Sequence, residues 1–189
     1  ESLEKAQNPK TLVVACCDSR VDPAILLHCK PGDLFVIRNV AALVPAVTQA
    51  SNPCSVMSAI EYGVKHLNVE HIVVMGHSHC GGIHGLMTPE SIAGETYIQD
   101  WVSIASPALE RLQAMTGDED EKTRSRHCEE GAVLISLDNL LSYPWIAERV
   151  KNGQLKLHAL YYDLSEGNLY RFSPDSEDFE LLFHTIENP

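Results

Sequence analysis

Two short stretches of the sequence hold residue types that do metal chemistry. The first runs from Cys16 through Cys17, Asp18 and Ser19 to Arg20, and the second from His77 through Ser78 and His79 to Cys80. Thiolate and imidazole together are donors that zinc takes in a tetrahedral site. His77 and Cys80, three residues apart where a turn enters a helix, can both reach one ion. Cys16 and Asp18 can face it from the opposite side, because alternate residues of an extended segment point the same way. Arg20, two residues beyond Asp18, can form a bidentate pair with its carboxylate. Either cluster alone is compatible with a small apolar cysteine beside unrelated polar residues. The two together point to one metal centre.

Convergence of this kind needs strands that end side by side. Thr11 to Cys17 is a continuous apolar run and reads as a strand buried on both faces, as do Leu34 to Arg38 and Ile72 to Met75. Between them, Asp22-Pro23 opens a short helix through Cys29, and Asn52-Pro53 opens a longer one with Val56, Ile60 and Val64 on one face. The loop from Gly76 to Gly82 leads into a helix that ends near Met87. Two further helical stretches are expected at Ile98 to Met115 and Cys128 to Leu141, separated by a solvated acidic segment, Gly117 to Lys122. Leu155 to Tyr162 and Leu169 to Phe172 form a hairpin around Ser165 to Asn168. Glu1 to Lys10 reads as the end of a helix stopped by Pro9. The alternation implies an α/β fold with a mainly parallel sheet flanked by helices and an antiparallel C-terminal hairpin strand, residues 1–189 forming one domain. Ligands of such sheets bind beyond the carboxyl ends of the strands, where both clusters lie.

Composition narrows the choice of function. With 14 basic against 26 acidic side chains, the net charge of −12 offers no footprint for nucleic acid or anionic lipid. No apolar run is long enough to span a bilayer. Six cysteines could make three disulfides, but that reading belongs mostly to small secreted chains that lack a core. Reduced thiols are expected instead, with Cys17, Cys29, Cys54 and Cys128 packed inside.

The motifs C-x-D-S-R and H-x-x-C resemble those of the β-class carbonic anhydrases. The resemblance continues through Phe35 to Ala41, Ala59 to Gly63, Cys80 to Gly82, Ser136 to Leu140 and Tyr143-Pro144, and so covers nearly the whole chain. It implies reversible hydration of carbon dioxide to bicarbonate and a proton on one Zn²⁺ held by Cys16, His77 and Cys80, with water or Asp18 in the fourth position. Zinc lowers the pKa of a bound water toward neutrality and so supplies hydroxide as nucleophile. In the family the Arg20 equivalent pulls the aspartate off the metal, and the freed aspartate accepts a hydrogen bond from the nucleophile. The resemblance also implies a substrate pocket of Gln7, Phe35 and Tyr62, with the Gln and Tyr supplied by a neighbouring subunit. A homodimer is then the minimum unit, and tetramers or higher assemblies are open. Gly81 and Gly82 are expected to allow close backbone approach to an anion at a helix start.

Members regulated by bicarbonate in a second pocket carry Trp where this chain has Val13, so no such pocket is expected and Asp18 should stand off the metal at neutral pH. Ala6 replaces a common Gly, and the N-terminal helical arm of relatives is short here. The implied location is the cytoplasm, or an organelle stroma or matrix if a transit peptide was removed. A hydrolase of carbon disulfide or carbonyl sulfide on the same zinc site, and a noncatalytic zinc protein, remain as alternatives.

Overall fold

The computed structural model describes residues 3–50, 53–115 and 117–184. Its centre is a six-stranded mixed sheet in the order β2-β1-β3-β4-β5-β6. β1 (Thr11–Cys16), β2 (Leu34–Asn39), β3 (His71–His77) and β4 (Lys156–Asp163) are parallel, whereas β5 (Asn168–Ser173) and β6 (Asp178–His184) return antiparallel. β1 and β3 are buried along nearly their whole length because helices cover both sheet faces, which is why their sequences are apolar without alternation. Leu12, Val14, Ile72 and Val74 join one core with Ile60, Val133 and Leu140, while Val13, Ala15, Val73 and Met75 join a second with Leu112, Cys128 and Ala132.

The helices are α1 (Pro23–Leu26), α2 (Ser55–Lys65), α3 (Gly81–Met87), α4 (Thr96–Val102), α5 (Ser106–Ala114), α6 (Glu121–Leu141) and α7 (Pro144–Lys151). Asp22 caps α1, its carboxylate accepting from the amides of Ala24 (2.9 Å) and Ile25 (3.3 Å), and Pro23 fixes the first helical φ. Asp120 caps α6 through the Thr123 amide at 2.7 Å.

Several sequence expectations change. Among residues 3–10 there is a turn at 3–5 and no helix, and the expected Asn52 helix start lies outside the described residues. Ile98 to Met115 is two helices, because the 3-10 turn Ser103–Ala105 and Pro107 break the chain between them. The acidic segment is not wholly loop: Glu121 and Lys122 already belong to α6, whose polar first turns carry no apolar periodicity to announce them. β6 adds a third antiparallel strand to the expected hairpin, and most of its side chains are exposed, as suits an edge. Cys17 is exposed and Cys29 and Cys54 are half-buried; of the four cysteines expected inside, only Cys128 is fully buried.

Candidate metal centre

β1 and β3 are neighbours with Ala15 opposite Met75, so Cys16 and His77 leave the sheet at the same end. The chain then turns within Ser78 and His79 and enters α3 at Cys80. His79 takes a positive φ of 56° to make that turn. One ligand atom each from Cys16, His77 and Cys80 lie within 4.8 Å of one another, and all three side chains are buried.

The set fits zinc on the geometry of the chain itself. His77 Nδ1 lies 2.9 Å from the Ser78 carbonyl, which can only accept, so Nδ1 carries the proton and Nε2 presents a lone pair. Nε2 is the one buried side-chain nitrogen or oxygen without a hydrogen-bond partner among the described residues. An orphaned imidazole nitrogen beside two thiols is a zinc donor set. The Cys80 thiol, donating toward Cys16, holds the Cys16 thiol far below its ordinary range, while that contact and burial push Cys80 up.

Asp18 sits at the edge of this group, with Oδ2 4.0 Å from His77 Nε2. Arg20 engages both of its oxygens: Nε donates to Oδ1 at 2.9 Å, Nη2 to Oδ2 at 2.6 Å, and the Arg20 amide to Oδ1 at 3.0 Å. This hydrogen bonding by Arg20 holds the Asp18 carboxyl well below the usual carboxylate range. Arg20 Nη2 also donates to the His79 carbonyl at 3.2 Å, tying the loop after β1 to the turn after β3.

The expected substrate residues sit in different settings. Gln7 is exposed ahead of β1. Tyr62 is 46% exposed on α2, its ring 6.1 Å from half-buried Phe35 and 5.1 Å from His66, on which it stacks. Gly82 packs against the turn after β2, where a Cβ on it would meet Val40 Cγ1 at 2.7 Å and Ala41 Cβ at 3.0 Å. At Gly81 a Cβ would meet nothing within 4 Å, so the space beside it is open. Val13 is fully buried in the core. A cavity of about 520 Å³ opens at the metal loop, lined among others by His79, Cys80, Gly81, Lys122 and Arg126.

Arg38 is the residue that sequence reading left without a role. Its Nε donates to the Cys16 carbonyl at 2.9 Å, and Nη2 to the carbonyls of Asp18 (2.6 Å) and Val21 (2.8 Å). One guanidinium thus pins the loop that carries Cys16, Asp18 and Arg20. The signal in the sequence was a cation ending an otherwise apolar strand. Beside it, the Asn39 side chain bonds both the amide and carbonyl of Leu43, bracketing a turn in which Ala41 and Ala42 take positive φ.

Fold and donor set define an α/β protein with a single-ion centre at the carboxyl ends of parallel strands. A carbonic anhydrase family model matches residues 11–169, and the chain belongs to the carbonic anhydrase family, in its β class. It is 41% identical over 176 residues to beta carbonic anhydrase 5, chloroplastic, of Arabidopsis thaliana, covering 93% of this chain and 58% of that protein. To beta carbonic anhydrase 3 of the same plant it is 42% identical over 169 residues, covering 88% and 65%. The chain spans about three fifths of the length of these relatives. Among solved structures, the β-carbonic anhydrase CcaA superposes with a TM-score of 0.89 at 30% identity, covering 95% of this chain and 86% of that one. A tetrameric β-carbonic anhydrase from Sordaria macrospora gives 0.75 at 32%, covering 90% and 84%.

Proposed function

We propose that this chain catalyses the reversible hydration of carbon dioxide to bicarbonate and a proton, with one Zn²⁺ held by Cys16, His77 and Cys80. The observation that carries the reading is the orphaned His77 Nε2 between two thiols, with Asp18 drawn aside by Arg20. When bound, zinc supplies a Lewis-acidic centre at which water becomes acidic near neutral pH. Asp18, ionised by its pairing with Arg20, accepts a hydrogen bond from the attacking water and orients it. Arg20 keeps the carboxylate off the fourth ligand position, which a purely structural zinc site would fill with a protein donor.

The substrate wall is assigned to Phe35, Gln7 and Tyr62, the latter two from a second copy, making a homodimer the minimum active unit. The exposure of Gln7 and Tyr62 supports their reaching across an interface. Gly82 seats the start of α3 against Val40 and Ala41, while Gly81 leaves its flank open to the cavity it lines beside His79 and Cys80. Residues 1–189 act as one domain. The compartment is the cytoplasm or an organelle stroma or matrix, the latter in line with the chloroplastic relative; among the described residues no helix is long and apolar enough to cross a membrane.

Stopped-flow hydration on protein of measured zinc content tests the reading. Asp18→Ala and Arg20→Ala should each lose on the order of 100-fold in rate while retaining zinc. Negligible turnover by the zinc-loaded wild-type chain, or full activity in either variant, would overturn it.

A further inference from the structure

Glu129 on α6 is an acid only 5% exposed that takes part in none of the ion pairs among the described residues. Arg126, one turn away, pairs with Glu130 instead. Burying a carboxylate without a cation is costly unless its lone pairs are met by strong donors. Both oxygens are met. Oε1 accepts from the backbone amide of Cys80 at 3.1 Å, and Oε2 from the Tyr161 hydroxyl at 2.7 Å. Three elements therefore join at one carboxylate: α6, β4, and the turn that starts α3 at a residue of the metal centre. One turn along the same helix, Val133 packs so close to Gly76 that a Cβ on Gly76 would collide with it. α6 is thereby seated on β3 immediately before His77.

We propose that Glu129 is a positioning residue for Cys80, holding its main chain so that Sγ stays beside Cys16 Sγ and His77 Nε2. An apolar side chain could fill the same helix position. It could not hold the one amide that lies within the ligand residue itself. A carboxylate suits the task because both oxygens accept, whereas an amide side chain offers one acceptor and one donor group. His77 is fixed separately: its ring donates to the Ser78 carbonyl, and the Ser78 amide and hydroxyl bond the Tyr162 carbonyl and the Leu164 amide, both within 2.9 Å. Cys80 depends on Glu129 for the equivalent restraint. Partners that orient metal ligands from behind are typically worth ten- to a hundredfold in metal affinity.

This inference rests on the reading of Cys16, His77 and Cys80 as zinc ligands, and its test reads metal binding rather than turnover. Zinc affinity is measured by chelator competition on the wild-type chain and on Glu129→Ala, Glu129→Gln and Glu129→Asp. The thiolate-to-cobalt charge-transfer bands of the Co²⁺-substituted proteins are recorded alongside. Glu129→Ala should bind zinc about 10- to 100-fold more weakly, with shifted cobalt bands. Glu129→Gln, which still offers the Cys80 amide an acceptor, should recover most of that loss. If Glu129→Ala does not fold by circular dichroism, Glu129→Asp carries the test, since it draws the acceptor back by one methylene and should weaken zinc at least roughly fivefold. Wild-type affinity and cobalt spectrum in Glu129→Ala or, where that variant is not folded, in Glu129→Asp, even with a lowered melting temperature, would overturn the role. So would Glu129→Gln binding as weakly as Glu129→Ala. Failure of the wild-type chain itself to bind zinc would instead remove the metal-centre reading, and this one with it.

Discussion

The two halves of the metal centre are built on opposite principles. In the turn after β3, His77, Ser78 and Cys80 are buried and a hydrogen bond fixes each one, with only His79 between them exposed. The loop after β1 is wet beyond Cys16, with the Arg20 side chain 52% exposed and the chain held by guanidinium groups. The difference teaches a division of labour. A turn of buried, hydrogen-bonded ligands suits residues that must present fixed donors, whereas an ion pair at the solvent edge suits a carboxylate that must stay charged in the role proposed for Asp18.

The contrast breaks most readily at the ligands. His77→Ala should reduce zinc to trace content by elemental analysis, while Asp18→Ala keeps it; equal loss in both would erase the distinction. Arg38→Ala should lower hydration roughly 10- to 100-fold by misplacing Asp18 and Arg20, with zinc content little changed. A matching drop in zinc would move Arg38 to the metal-holding side. Thiol labelling should sharpen the comparison: exposed Cys17 reacts first with iodoacetamide in mass-spectrometric mapping, and Cys128 stays protected, because burial hides its thiol and pushes it up to about 11. The smallest effect is expected at the start of α6. The Thr123 amide lowers the Asp120 carboxyl below its ordinary value, so the stability it contributes is present above about pH 4 and is lost as pH falls through its folded pKa. Asp120→Ala should therefore lower the melting temperature at neutral pH, with the gap closing in acid; a constant gap would point to a role other than capping.

Much of this is legible in the sequence. Cys16, Asp18, Arg20, His77 and Cys80 stand out because their types are rare in combination and because apolar strands place them at one sheet end. What stayed hidden acts through the backbone or over long separations. Arg38 bonds carbonyls, and any residue supplies a carbonyl, so its partners leave no mark in the sequence. Glu129 meets an amide 49 residues away. The start of α6 carries no such mark for another reason: its first turns are polar in sequence, so the capping Asp120 reads as one more acid in a charged loop. β6 escaped because an edge strand with few buried side chains lacks a clear period of two.

The pairing of β1 with β3 reaches beyond the sheet itself. Side chains alternate faces along a strand, so slipping β3 by one residue against β1 would carry His77 about 3.3 Å along the sheet and turn its imidazole to the opposite face. Cys80 would be displaced with it, and no three-donor group would remain. Capture of the ion therefore proofreads strand alignment: only chains that have joined these strands in the native offset gain its binding energy, so zinc in the folding buffer should enrich correctly aligned molecules over slipped ones.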